Sequence, residues 1–223
     1  MTKKIISIYD TTLRDGAQTV GISFSLQDKL NIAKILDWLK IDYIEGGWPG
    51  SNPKDEAFFS EVRKLDIQHS KIAAFGSTKR KGLSCKEDPM MQSLVNSKAD
   101  VITLVAKSWD FQVTKALGME LHENLELIYD SVAYLKDLGF TVFLDAEHFF
   151  DGYKSNSDYS LSCLAKACEA GVDMLVLCDT NGGTLPSEVF DITRDVASKF
   201  STAVGGHFHN DSGVAVANSM YAI

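Results

Sequence analysis

The chain has 223 residues, 45% hydrophobic and 23% charged, enough to bury a sizeable core. Its net charge of -8 with scattered basic residues argues against nucleic acid, which demands a basic stripe. No apolar run reaches the roughly 18 residues of a membrane span and no amino-terminal leader pattern is present, so the expected location is the cytoplasm, away from any membrane.

In chain order, K-I-I-S-I-Y (4–9) reads as a strand. Residues 25–40 follow as a helix, with Leu26, Leu30, Ala33, Leu36 and Leu39 on one face and Ser25 with Asp28 as a capping pair. A second strand, 42–46, precedes a helix at 55–65. A third, 71–76, precedes one at 89–96. The fourth strand, 100–106, leads to a helix at 122–138 that Gly139 stops. The fifth, 141–146, leads to a helix at 159–170 closed by Gly171. The sixth, 173–178, leads to a helix opened by Pro186, a favoured first-turn residue. Residues 202–209 form the seventh strand, and 212–223 begin a seventh helix. Four cysteines, Cys85, Cys163, Cys168 and Cys178, show no C-x-x-C spacing and read as reduced structural thiols.

Seven strand–helix units with near-continuous apolar strands predict parallel strands buried on both faces. A doubly wound sheet would use seven; a TIM (β/α)8-type barrel needs eight and about 250 residues. The position of the polar residues favours the barrel, because they fall directly after strand upon strand. Arg14, Asp15 and Gln18 follow the first, Glu45 the second, Lys107 and Ser108 the fourth, Glu147 and His148 the fifth, Asp179 and Thr180 the sixth, and His207 to Asp211 the seventh. Carboxyl ends of barrel strands open on one face, where such enzymes build their sites. The expectation is a single catalytic barrel domain, 1–223, that stops short of an eighth strand.

His207 and His209 stand two apart on a strand, so both imidazoles point to one side. With a carboxylate they make a divalent-metal triad with open positions, and Asp15 is the chosen carboxylate because closing a barrel brings strands one and seven to either side of the eighth. Arg14 has three jobs open to it: holding a carboxylate beside the metal, stabilising an oxyanion there, or a salt bridge to Asp10 or Glu45. Glu45 and Glu147 are acids at strand ends, each open to general-base work or to anchoring Arg14 or a substrate hydroxyl. Thr180 either donates to a bound carboxylate or serves the turn. Asp211 either orients a ligating histidine or caps the last helix, the cap being preferred. No P-loop, dinucleotide fingerprint or G-x-S-x-G elbow is present.

Two motifs carry a family resemblance: D-T-T-L-R-D-G-A-Q (10–18) and H-F-H-N-D (207–211). On them the chain resembles the DRE-TIM metallolyase family, which includes 2-isopropylmalate, homocitrate and citramalate synthases and hydroxymethylglutaryl-CoA lyase. E-G-G-W-P-G-S-N-P-K-D, D-A-E-H-F-F-D-G-Y and C-D-T-N-G-G-T-L-P look most like the citramalate synthase branch. The resemblance implies condensation of acetyl-CoA with a 2-oxo acid, pyruvate in that branch, in branched-chain amino-acid biosynthesis. It implies a divalent metal ion (Mn2+, Mg2+ or Zn2+) on Asp15, His207 and His209. It also implies Arg14 as enolate stabiliser, Glu147 as the favoured base, and Gln18, Glu45 and Thr180 along the substrate, in an enzyme that is a homodimer at full length. Other 2-oxo acids, carbon–carbon cleavage, or an inactive fragment are the competing readings. Relatives continue with an eighth strand and further domains that this sequence is expected to lack, and often carry a histidine where this chain has Gln112.

Overall fold

A computed structural model describes residues 5–223, so Lys4 of the expected first strand lies outside the described residues. They form two compact units: residues up to Ser77 with Leu83–Thr103, and Thr78–Gly82 with Leu104–Ile223.

The first unit runs β1 (Tyr9–Asp10), α1 (Leu26–Trp38), β2 (Tyr43–Gly47), α2 (Pro53–Val62), β3 (Lys71–Ser77), α3 (Pro89–Ser97) and the first residues of β4 (Val101–Lys107). β1 is far shorter than expected, and Ile5, Ile6 and Ile8 are exposed before it. β1 pairs parallel to β2 at Tyr9↔Tyr43, and β2 to β3 at Ile44↔Ile72, with a register shift between Glu45 and Gly47. That irregularity is a β-bulge, a device that re-aims a side chain at the end of a strand. Each helix starts where its sequence supplies a cap. Ser25 and Asp28 close a reciprocal capping box on α1. Asn52 Oδ1 accepts Asp55 N–H at 2.9 Å before Pro53, and Asp88 Oδ1 accepts Met90 N–H at 2.9 Å before Pro89. The expected apolar face of α1 is only partly inside: Leu30 and Ala33 are buried, Leu39 is exposed, and Lys29 is 2% exposed. Lys29 Nζ meets Asp55 Oδ1 at 2.5 Å, which keeps a charge in the interior that periodicity alone reads as solvent-facing. Burial holds the Lys29 pKa below its ordinary value.

The second unit holds the rest of β4, then α4 (Leu121–Asp137), β5 (Thr141–Glu147), α5 (Phe149–Glu169), β6 (Met174–Asp179), α6 (Pro186–Lys199), β7 (Ala203–Phe208) and α7 (Ala215–Tyr221). β5, β6 and β7 pair in parallel, with Asp145↔Val176 and Cys178↔His207 among the partners. The interior of β5 is buried from Val142 to Ala146, as a strand covered on both faces requires. α5 corrects the expected helix at 159–170: it begins ten residues earlier, at Phe149, and its turn at Asn156 is non-helical (φ -152°). Phe149 and Phe150 are fully buried, so packing recruits a stretch that reads as loop. His148, at φ +54°, turns the chain out of β5 and into the helix. α7 is entered from Asn210, whose Oδ1 accepts Ala215 N–H at 3.1 Å. The cap expected of Asp211 is therefore made by its neighbour. Cys85, Cys163 and Cys178 are buried and Cys168 is half-buried, and none of the four forms a disulfide among the described residues.

Candidate functional site

In the first unit the loop after β1 folds on its own side chains. Asp10 does not pair with Arg14. Its carboxylate accepts Thr12 N–H at 2.9 Å and Thr12 Oγ1–H at 3.1 Å, a local turn. Thr11 O then receives the N–H groups of Arg14 and Gly16 at 3.1 and 3.0 Å, and Gly16–Gln18 close a single 3-10 turn. This compact loop sends Arg14 towards the end of β2. Arg14 Nε donates to Glu45 Oε2 at 2.6 Å, and its guanidinium carbon lies 3.8 Å from the centre of the Phe75 ring. Nη1 is 3.7 Å from Asp15 Oδ1.

The Glu45 side chain has no exposed surface, and its other oxygen accepts the Tyr9 hydroxyl at 2.9 Å. Tyr9 is tied onward to Thr103 Oγ1 at 2.8 Å. Of the roles open to Glu45, this geometry provides the anchoring of Arg14. Arg14 thus has its Nε held by Glu45 and one face of its guanidinium plane against Phe75. A cavity of about 230 Å³ is lined by Arg14, Gln18, Lys29, Trp48, Asn52 and Asp55, among others. Four of these, Arg14, Gln18, Trp48 and Asn52, sit in the loops after the first and second strands.

In the second unit, Lys107 at the end of β4 forms an ion pair with Glu147 Oε2 at the end of β5. Ser108 fixes the two strand ends to each other, its Oγ–H donating to Glu147 O at 2.7 Å. The segment carrying Lys107 is clamped from behind. Asn124 Nδ2 donates to Lys107 O at 2.9 Å, and Ser160 Oγ donates to Ser108 O at 2.7 Å. A β-carbon on Gly152 would sit 2.7 Å from Ser108 O, so only glycine admits this approach of α5.

Thr180 Oγ1 accepts His148 N–H at 2.9 Å, which leaves its own hydroxyl proton available to donate. Below it Asp179 is wholly buried and accepts both the N–H and the hydroxyl of Thr184, at 3.1 and 2.9 Å, which sets the loop that follows β6. Gly182 stands at φ +59° with space for a β-carbon taken by Asp211, its Oδ2 2.7 Å away. His207 and His209 lie with ring centres 5.2 Å apart, both half-buried. Two neighbouring imidazoles on one strand end fit the nitrogen donors of a divalent cation. A second observation joins them: Asp145, Cys178 and His207 present ligand atoms all within 4.8 Å of one another, and Asp145 and Cys178 are buried.

Sequence reasoning left several of these residues without a role. In the sequence Lys107 reads only as a polar strand-end residue, and Tyr9, Phe75, Asp145 and Cys178 do not read as site residues. The signal for Asp145 is its spacing two residues before Glu147 on one strand, which places both on the same face. Tyr9 and Phe75 carry no comparable signal, because an aromatic on a buried strand reads as core.

Residues 5–223 match the HMGL-like family. The chain belongs to this HMGL-like family. It is 54% identical over 223 residues to a (R)-citramalate synthase of Sulfolobus acidocaldarius, a match that covers 100% of this chain and 43% of that protein. It is 33% identical over 218 residues to a probable 2-isopropylmalate synthase of Methanopyrus kandleri, covering 98% of this chain and 41% of that one. The chain therefore spans less than half the length of these curated relatives. Among solved structures, the HMG-CoA lyase of Bacillus subtilis superposes with a TM-score of 0.80 at 18% identity, over 99% of this chain and 74% of that one. The HMGL-like chain accordingly has the TIM-barrel-type α/β fold that strand–helix alternation predicts. No described helix is long and apolar enough to cross a membrane.

Proposed function

We propose that this HMGL-like chain supplies catalytic residues for the condensation of acetyl-CoA with pyruvate to give citramalate and CoA. The observation that carries the reading is the gap in identity: 54% to a (R)-citramalate synthase against 33% to a probable 2-isopropylmalate synthase, over nearly the same residues. Asp15, His207 and His209 would hold a divalent ion, Mn2+, Mg2+ or Zn2+. The donor set of two imidazoles and a carboxylate suits it, and the pairing of His207 with His209 supports this. Such an ion supplies Lewis-acid polarisation of the keto group of the oxo acid.

The remaining work falls to side chains. Glu147 takes a proton from the acetyl methyl group, with the Lys107 ammonium beside it to orient the carboxylate. Arg14, its Nε locked to Glu45, directs its terminal N–H groups at the enolate-like oxygen that forms on the thioester. The methyl carbon then bonds to C2 of pyruvate as the keto π bond breaks, and the resulting alkoxide takes a proton from water to end as the hydroxyl. Water next cleaves the thioester, giving the second carboxylate and free CoA. Thr180 donates its hydroxyl proton to the pyruvate carboxylate, and Gln18 lies along the same substrate. The setting is a cytoplasmic, branched-chain biosynthetic enzyme acting as a homodimer.

Thiol release from acetyl-CoA, measured with each 2-oxo acid in the protein carrying this chain, tests the proposal. Pyruvate is expected to give the fastest release, with citramalate as product. Faster release with 2-oxoisovalerate or 2-oxoglutarate, or cleavage of citramalate-type thioesters without synthesis, would overturn it.

A further inference from the structure

We propose that Asp145, Cys178 and His207 form a second cation site within the second unit, one that takes soft divalent ions such as Zn2+ or Cd2+ and rejects Mg2+. The three residues come from three successive parallel strands. Cys178 on β6 is the register partner of His207 on β7, and Asp145 on β5 pairs with Val176, two residues before Cys178 on the same face. All three side chains therefore project to one side of the sheet. Their ligand atoms lie within 4.8 Å of one another. Around a tetrahedral Zn2+ with bonds of about 2.0–2.3 Å, ligand atoms stand roughly 3.5 Å apart, so small side-chain rotations close the set.

Charge and hardness decide which ion enters. Asp145 and Cys178 are each 6% exposed, so a dication bound there must be neutralised locally. A carboxylate and a thiolate provide two negative charges against two positive ones, with a neutral imidazole as third ligand and one position left for water. The Cys178 S–H proton leaves to solvent as the metal–sulfur bond forms. Mg2+ demands oxygen ligands in octahedral geometry, which this set lacks. Zn2+ and Cd2+ accept sulfur and nitrogen together. His207 is half-buried, which gives the ion a path in, while the other two ligands lie deeper.

The consequence for activity rests on the function proposed above. His207 is common to both ligand sets, so a soft ion seated on Asp145 and Cys178 withdraws it from the pair with His209. Thiophilic cations then inhibit in competition with Mn2+.

Cadmium alone is the probe, read by the ultraviolet charge-transfer band between thiolate sulfur and Cd2+ in the purified protein, without substrates. A saturable band is expected that Cys178→Ser abolishes and Asp145→Asn weakens at least about tenfold, the range by which lost metal-site interactions lower affinity. His209→Ala and Cys168→Ser should keep it, and in His209→Ala, where the competing histidine pair is gone, excess Mg2+ should not displace it. A band that survives both Cys178→Ser and Asp145→Asn, or one that His209→Ala abolishes, would overturn the site. The catalytic proposal fails on thiol release and this one on the sulfur band, so the two failures are told apart.

Discussion

The Arg14–Glu45 clamp gives the sharpest energetic prediction. Glu45 has no exposed side-chain surface and Arg14 only 10%, so each loses its 2.6 Å ion-pair partner in the interior when the other is removed. Breaking a buried pair from one side costs about 3–5 kcal/mol, because the remaining charge stays desolvated. For a chain of this size, about 2–4 °C of melting temperature corresponds to each kcal/mol, so Arg14→Ala and Glu45→Ala should each lower Tm by about 6–20 °C. Glu45→Ala also leaves the Tyr9 hydroxyl only Thr103 of the two hydrogen bonds described for it, at 2.8 Å. The double variant removes both charges, and its loss should fall short of the sum by at least about 2 kcal/mol, the range seen for residues in one ion-pair network. The assay is thermal and urea unfolding of the four proteins of the cycle. Additivity within about 0.5 kcal/mol would refute the clamp, since that is the behaviour of independent sites.

Other outcomes follow from the same geometry. Arg14→Lys should fold yet lose about 10²–10³ in the rate of thiol release, the cost of one misplaced oxyanion donor; an unchanged rate would remove Arg14 from the chemistry. Gly152→Ala sets a helix-propensity gain of about 1 kcal/mol against a β-carbon 2.7 Å from Ser108 O; overpacking of about 1–3 kcal/mol should win, and a raised Tm would show that the segment after β4 yields freely. Burial pushes the Cys163 thiol up to about 12 from 9.0. The native state therefore favours its protonated form, and the stability this brings is complete below pH 9 and is lost as pH rises from 9 to about 12, on the order of 4 kcal/mol at most. Cys163→Ala should flatten that alkaline loss, and equal alkylation of Cys163 and half-buried Cys168 at pH 8 would contradict the burial.

The fold was legible where local chemistry and tertiary packing agree. Ser25 with Asp28, Pro89 after Asp88, Gly139 at φ +87° and Pro186 each mark a helix end that the structure has. It was illegible where packing overrode the local signal. Phe149 and Phe150 begin α5 because both are fully buried, although the left-handed His148 and the break at Asn156 interrupt the helical pattern. Among the site residues, the strand-end positions were readable because parallel α/β folds collect polar groups there. Of their partners, Glu45 is readable as one option for Arg14, and the others are not. Lys29 looks like a solvated helix position until Asp55 is found 2.5 Å away, and Lys107 has no visible purpose until β4 and β5 are paired.

This difference explains why motif and support read so unequally. A motif such as D-T-T-L-R-D-G-A-Q is contiguous, so its spacing alone carries information. The groups that orient Arg14 come from Tyr9, Glu45, Phe75 and Thr103, on four different strands, and of these only Glu45 stands out in the sequence by its chemistry. What makes Glu45 unusual is that a carboxylate with no exposed surface survives only if its charge is matched. The positioning of Arg14 and the stability of the first unit are thus one interaction. A substitution that loosens the clamp to broaden substrate choice should therefore be accompanied by a lower melting temperature, and a variant of Glu45 with altered substrate preference and unchanged Tm would show that the two can be separated.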